Sequence, residues 1–117
     1  MTIDRELLYL TLIGEAVADI QRRVGSSDFD AFIADRDEQA LTAFRLSIIG
    51  ENSHKLSTDL KNRHPDLPWQ DMVAFRNMVS HEYHRVDPVL AWEAVLSLAA
   101  IEAMVDHELA AKASRGN

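Results

Sequence analysis

Apolar residues recur every three or four positions along most of this chain, and no stretch alternates apolar and polar residues over the length of a strand. The first such stretch carries five of them on one helical face: Leu10, Ile13, Val17, Ile20 and Val24. Leu7 and Leu8 are expected to widen this stripe at its start. Because each apolar stripe must be buried against another helix, the pattern predicts an all-α fold, an up-and-down bundle of four main helices plus a short extra helix.

Capping residues set the bounds of the first main helix and of the short extra helix. Asp4 is expected to cap a helix that runs to Val24, after which Gly25 takes the left-handed conformation common at helix ends. Asp28 offers a second cap. It is expected to begin a short helical turn that covers one end of the bundle with Phe29, Phe32 and Ile33.

A long second helix is predicted from about Asp37 to just before Pro65, because a proline cannot continue a helix. Its apolar residues are Leu41, Phe44, Ile48, Ile49, Leu56 and Leu60. Gly50 lies in the helix interior, where it costs up to about 1 kcal/mol relative to alanine. A glycine at such a position is expected to permit the close approach of another helix.

The third and fourth main helices both begin at a proline. Pro68 is placed in the first turn of the third helix, which runs through Tyr83. After a short loop, Asp87 is expected to cap the last helix, with Pro88 as its first residue and a body from about Val89 to Ala111. The residues that this helix buries, or their neighbours, are predicted to be Val89, Trp92, Leu96, Ala99 and Ala103. Residues 112–117 are predicted to form a frayed tail.

The composition excludes several classes of protein. A chain of 117 residues, 47% hydrophobic and 26% charged, is expected to form one globular domain over residues 1–117. Without cysteine it has no disulfide, thiol nucleophile or thiolate metal site. Its four glycines are isolated, so no glycine-rich phosphate loop is present. With no apolar run near the length of a membrane span and no basic-then-apolar leader, the expected location is cytoplasmic, with no membrane partner.

The charges are distributed unevenly. The net charge of −7 argues against general affinity for nucleic acid. Residues 54–85, however, hold five Lys or Arg residues against four acids, and four of the five histidines. The net charge of this segment is therefore +1 and that of the remainder −8. This distribution favours a neutral to basic cleft on an otherwise acidic protein. A chance fluctuation in composition is the alternative.

The segment Phe75–Tyr83 carries the chemistry. It places a cation, an amide, a hydroxyl, an imidazole and a phenol within nine residues: Arg76, Asn77, Ser80, His81 and Tyr83. The apolar residues Met72, Phe75, Met78 and Val79 occur at helical spacing, so the polar residues are expected on a helix whose other side is buried.

Helical geometry separates the two residues best suited to phosphate chemistry. At about 100° per residue, Arg76 and Tyr83 share a face, whereas Arg76 and His81 diverge by roughly 140°. Two arrangements would bring Arg76 and His81 onto one phosphate. Either the helix ends or bends near His81, or the residues converge with copies from a second subunit, which is the arrangement we favour.

An imidazole beside a guanidinium is suited to RNA cleavage without a metal. His81 can take a proton from a ribose 2′-OH or give one to the leaving oxygen, and Arg76 can hold the phosphate. A histidine taken alone is more often structural. A metal site is not predicted, because His81 and His84 are three residues apart rather than the four of the zinc-protease pattern. Glu51 either faces the cleft or is a solvated surface residue.

The spacing Arg76-x4-His81-x-Tyr83 resembles the R-x4-H-x-Y signature of HEPN-domain ribonucleases. Within that superfamily the chain is similar to the HepT toxin family, which is paired with a MntA-type minimal nucleotidyltransferase antitoxin. Supporting stretches are Ile48–Glu51, Pro65–Trp69 and Val86–Pro88. One departure is that Asn52, Ser53 and His54 stand where the family usually has small residues.

The resemblance implies a ribonuclease toxin of a type VII toxin-antitoxin system, without a cofactor. It further implies a homodimer with a composite cleft, an RNA substrate that could be tRNA or mRNA, and a MntA-type antitoxin. Arg76 and His81 would be catalytic, with Asn77, Glu51 and Ser80 in support, and Tyr83 would be the target of adenylylation. Two alternatives remain open: a Tyr83 that only plugs the helix end, and a non-catalytic subunit that anchors a nucleotidyltransferase or positions its substrate.

Overall fold

The computed structural model describes residues 4–78 and 87–115. Within these ranges the chain forms seven α-helices and one 3₁₀ helix, and no strand. The α-helices are α1 (Arg5–Val24), α2 (Phe29–Ile33), α3 (Arg36–Lys55), α4 (Thr58–Arg63), α5 (Trp69–Ala74), α6 (Pro88–Leu96) and α7 (Leu98–Arg115). The 3₁₀ helix, Phe75–Met78, follows α5 directly. The predicted all-α class is confirmed, although three of the four predicted main helices are each divided in two.

Helix α1 forms one side of the core and packs against α3 and α7. All five residues of its predicted stripe are at most 2% exposed. The expectation that Leu7 and Leu8 widen the stripe is wrong, since they are 43% and 53% exposed. At about 100° per residue, Leu8 lies on the opposite side of the helix from the stripe and Leu7 beyond its edge.

The predicted caps of α1 and α2 are confirmed. The carboxylate of Asp4 accepts the Leu7 N–H at 3.1 Å, and that of Asp28 accepts the Ala31 N–H at 2.8 Å. The left-handed conformation predicted for Gly25 is wrong. Its φ of −64° and ψ of −27° continue the right-handed turn, and its N–H donates to the Gln21 carbonyl at 2.9 Å.

The long second helix begins at Arg36, capped by Asp35, and is not continuous to Pro65. Leu56 is extended, with a ψ of 151°, and separates α3 from α4. Ser57 caps α4 by accepting the Leu60 N–H at 3.1 Å, while its own N–H donates to Glu6 of α1 at 2.9 Å. These two hydrogen bonds replace the ones that a continuous helix would have made across the break. Ile49, Leu56 and Leu60 are buried as predicted, Leu41 and Ile48 are half-buried, and Phe44 is exposed, contrary to prediction.

The last predicted helix is divided at Ser97 into α6 and α7, which meet at a bend of 46°. Its predicted start is confirmed, because Asp87 accepts the Val89 N–H at 2.9 Å and Pro88 is the first helical residue. None of the five residues named in the prediction is buried: Trp92 is half-buried, and the exposed ones are Val89, Leu96, Ala99 and Ala103. Their neighbours, which the prediction allowed as alternatives, are buried instead. The buried residues near these positions are Ala91, Ala94, Leu98, Ile101 and Met104.

The predicted frayed tail is also wrong as far as the structure describes it. Helix α7 continues to Arg115, and the ammonium of Lys112 lies 3.0 Å from the carboxylate of Asp4. This ion pair holds the end of α7 against the start of α1.

No single helix among the described residues is both long enough and apolar enough to cross a bilayer. Over the same described ranges, α6 and α7 taken together across their bend reach that length and composition.

Candidate functional site

Arg76 lies on the 3₁₀ helix that extends α5. The N–H of Phe75 is shared among the carbonyls of Asp71, Met72 and Val73, which marks the change from α to 3₁₀ geometry. Met72 and Phe75 are buried in the core, at 0% and 6% exposure. Because these two side chains are held in the core, the segment cannot rotate about its own axis, and Arg76 is left exposed at its surface.

The change of helix type corrects the angular prediction. In a 3₁₀ helix successive residues turn by about 120°, so the divergence of Arg76 and His81 cannot be taken from one ideal α-helix. The predicted continuous α-helix is therefore wrong over residues 75–78. Ser80, His81 and Tyr83 lie outside the described residues, as does His84 of the rejected metal site.

Arg76 and Glu51 line the same shallow pocket, whose volume is about 350 Å³. Ser47, Ile48 and Asn52 of α3 complete its lining. The Glu51 side chain is 53% exposed, and its carboxylate lies 3.8 Å from the ammonium of Lys55. Glu51 is thus solvated, and it shares this pocket with Arg76.

Two further residues of α3 border this region, and neither was predicted as part of the site. Asn52 is 6% exposed and donates its amide N–H to the Ile48 carbonyl at 2.8 Å. The Lys55 ammonium lies 5.5 Å from the centre of the Tyr9 ring, a cation–π distance. The sequence could have indicated both residues, because each lies within about one helical turn of Glu51 on the same helix.

Asn77 lines a different pocket from Arg76. This second pocket, of about 540 Å³, lies between the α5 and 3₁₀ segment and helix α6. Phe75, Met78, Leu90 and Ala94 provide apolar walls, and Asp71 and Glu93 lie on its lining as well. The structure therefore places the adjacent residues Arg76 and Asn77 at two separate depressions.

A buried carboxylate forms a second polar cluster away from these pockets. Glu108 of α7 is 1% exposed. Its Oε1 accepts a hydrogen bond from Arg63 Nη2 at 2.7 Å, and its Oε2 lies 2.7 Å from His64 Nε2. The Arg63 hydrogen bond is the main cause that lowers the pKa of Glu108 to about 2, against the opposing effect of burial. The carboxylate also raises the pKa of Arg63.

His107 joins this cluster, so that His64, His107 and Glu108 offer three donor atoms within 4.8 Å of one another. These are residue types that bind zinc. Both oxygens of Glu108 are, however, already engaged by Arg63 and His64, which makes the cluster a satisfied ion-pair network. The sequence signal was an acid on the buried face of α7, in register with Ile101, Met104 and Val105.

Comparison with known proteins identifies the family. The family model described as Ribonuclease HepT-like matches residues 13–107. A "Probable ribonuclease HepT" of Thermococcus cleftensis is 34% identical over 87 residues, which cover 74% of this chain and 79% of that protein. "Putative RNase MJ1380" of Methanocaldococcus jannaschii is 31% identical over 87 residues, covering 74% and 80%. No solved structure matches the chain significantly. The resemblance read from the R-x4-H-x-Y motif is confirmed, and the chain belongs to the HepT-like ribonuclease family.

Proposed function

We propose that this protein is a metal-independent endoribonuclease and the toxin of a type VII toxin-antitoxin system, acting in the cytoplasm. The observation that carries the proposal is an exposed Arg76 in an intact R-x4-H-x-Y motif, within a chain that matches the HepT-like family over residues 13–107. The similarity to proteins named as ribonucleases supports the activity.

The chemistry assigns one role to each catalytic residue. His81 takes the proton of a ribose 2′-OH, and the resulting oxygen attacks the adjacent phosphorus. Arg76 holds the phosphate oxygens and stabilises the charge that develops on them. The bond from phosphorus to the 5′-oxygen then breaks, and an imidazolium supplies the proton that this leaving oxygen needs. Glu51 shares the pocket of Arg76 and is proposed to support the site together with Ser80. Asn77, which lines the neighbouring pocket, would support it through the segment that it shares with Arg76.

A homodimer supplies the second imidazole. One imidazole cannot easily be both base and acid in the same step, whereas a two-fold axis near Arg76 brings in a second His81. The position of Arg76 is consistent with this arrangement, because its segment is anchored by Met72 and Phe75 while its own side chain is exposed. The composite site would bind one RNA phosphate between the two subunits.

Adenylylation of Tyr83 regulates the activity. A MntA-type nucleotidyltransferase would transfer AMP to the phenol oxygen, with release of pyrophosphate from ATP. Each AMP adds a phosphate, and therefore negative charge, beside the arginine that must hold the phosphate of the substrate. Like-charge repulsion and occlusion would then stop RNA cleavage.

The catalytic proposal is tested by cleavage of tRNA and of an mRNA transcript by the purified chain in EDTA. We expect His81→Ala to abolish cleavage and growth toxicity while the circular dichroism spectrum stays that of the wild type. The matched control is His54→Ala, an exposed histidine of α3, which should keep full activity. Cleavage that persists in His81→Ala, or that EDTA removes from the wild type, would contradict the mechanism. A wild-type chain that binds the nucleotidyltransferase yet cuts no RNA would instead support a non-catalytic binding subunit.

The regulatory proposal is tested by incubating the chain with the cognate nucleotidyltransferase, ATP and magnesium. Intact-mass spectrometry should show additions in steps of one AMP at Tyr83, together with loss of RNA cleavage. Tyr83→Phe should escape modification, and Tyr9→Phe, which alters the other tyrosine of the chain, should not. Modification of another residue, or full cleavage by the modified protein, would refute the regulatory role.

A further inference from the structure

Helix α3 and the segment that carries Arg76 cross at Gly50. The 3₁₀ helix and α5 both pack on α3, and Gly50 is buried where they meet. A Cβ atom built at Gly50 would lie 2.8 Å from the carbonyl oxygen of Met72 and 3.0 Å from the carbonyl carbon of Phe75. The backbone nitrogen of Arg76 would be closer still.

These neighbours are backbone atoms, so no side-chain rotation relieves the overlap. To restore the ordinary 3.4 Å contact with Met72 alone, the backbone must move by about 0.6 Å, and the contact with Arg76 requires more. Gly14 of α1 offers a contrast. A Cβ atom there meets only Cγ1 of Val105, at 3.3 Å, and a side chain can yield by that amount.

The geometry points to Gly50 as the positioning residue of Arg76, an inference that rests on the proposed ribonuclease function. With no Cβ at Gly50, the backbone of Arg76 lies directly on α3, which places its side chain beside Glu51 at the shared pocket. The buried side chains of Met72 and Phe75 hold the same segment from within the core. The distance between the backbone of Arg76 and helix α3 is thereby fixed.

The test compares Gly50→Ala with Gly14→Ala on a single-stranded RNA of mixed sequence that carries a fluorophore and a quencher. In folded Gly50→Ala we expect kcat to fall by roughly tenfold to a hundredfold, since displacing a catalytic group by about 1 Å has effects of that size. Gly14→Ala should keep the wild-type kcat. An unchanged kcat in folded Gly50→Ala overturns the inference.

A double-mutant cycle separates positioning from general destabilisation. If Gly50 acts through Arg76, then adding Gly50→Ala to Arg76→Ala causes no further loss of kcat. A loss in the double variant equal to that in the wild-type background would refute the role. Should Gly50→Ala fail to fold, Phe75→Leu tests the same placement from the core side, and a wild-type kcat in that variant would overturn the inference.

A spectroscopic readout keeps this inference distinct from the proposed function. The Nε–H signal of Arg76 in a ¹H–¹⁵N spectrum, assigned by its loss in Arg76→Ala, should shift in Gly50→Ala and not in Gly14→Ala. A wild-type chain that cuts no RNA would refute the function while this shift still supported the placement. An unmoved signal would refute the placement even if RNA were cleaved.

Discussion

Acid should destabilise this protein through Glu108 in a predictable pH range. In the folded chain the hydrogen bond from Arg63 holds the pKa of Glu108 at about 2, whereas an unhindered glutamate titrates near 4.5. Because the folded pKa is the lower one, the carboxylate contributes stability above pH 4.5 and loses it as the pH falls towards 2. The difference between the two pKa values corresponds to roughly 3 kcal/mol at neutral pH.

The linkage relation distributes this loss over pH. About 2 kcal/mol of the contribution of Glu108 should disappear between pH 5 and pH 3, and most of the remainder below pH 3. The chain holds 19 Asp and Glu residues, so the wild type alone does not isolate the effect. Glu108→Gln removes this one titration while keeping the shape of the side chain.

The assay is urea unfolding of the wild type and Glu108→Gln, followed by circular dichroism at pH 5 and pH 3. We expect the wild type to exceed the variant by roughly 2 kcal/mol more at pH 5 than at pH 3. Glu15→Gln, at an exposed position of α1, is the control and should differ from the wild type by less than about 0.5 kcal/mol at either pH. An equal gap between wild type and Glu108→Gln at both pH values would refute the lowered pKa of Glu108.

Three further outcomes are expected. Asp87→Ala should lower the free energy of unfolding by about 1 kcal/mol, because it removes the cap of α6, and a thermal melt that matches the wild type would contradict this. Mixing Arg76→Ala subunits with His81→Ala subunits should restore RNA cleavage if each dimer site draws on both chains, whereas a stable monomer by light scattering would count against shared sites. Excess zinc should leave the melting temperature unchanged, because Glu108 is already paired; a rise that His107→Ala abolishes would show a metal site instead.

Local sequence patterns predicted those features that depend on residues within one or two helical turns. The stripe on α1, the caps Asp4, Asp28 and Asp87, and the proline at the start of α6 were all confirmed. The R-x4-H-x-Y spacing, together with the stretches Ile48–Glu51 and Pro65–Trp69, was sufficient to indicate the family, because short motifs can be read without knowing what packs against them.

Only the tertiary structure decided where the long helices are interrupted. The break before α4 is stabilised by Glu6, which lies 51 residues away in the sequence and accepts the Ser57 N–H. At Ser97 the chain bends by 46°. The buried residues of α6 and α7 keep helical spacing through this bend, on the face opposite to the predicted one, so packing against the rest of the chain selected the buried face. Neither position carries a proline or a glycine. Ser57 and Ser97 are of a type that can cap a helix, but serine also occurs inside α3, so it did not mark an interruption.

Some features of the candidate site could likewise be predicted from the sequence, and others only from the tertiary structure. The sequence by itself singled out Arg76 and Glu51 and anticipated a close helix approach at Gly50. It could not show that this approach involves the backbone of Arg76, nor that Arg63 and His64 meet Glu108, 44 or 45 residues further along the chain. Spacing along a helix specifies which face a residue occupies, whereas the partner of that face is chosen by the packing of the whole chain, where hydrophobic burial and pairing of buried charges are satisfied together.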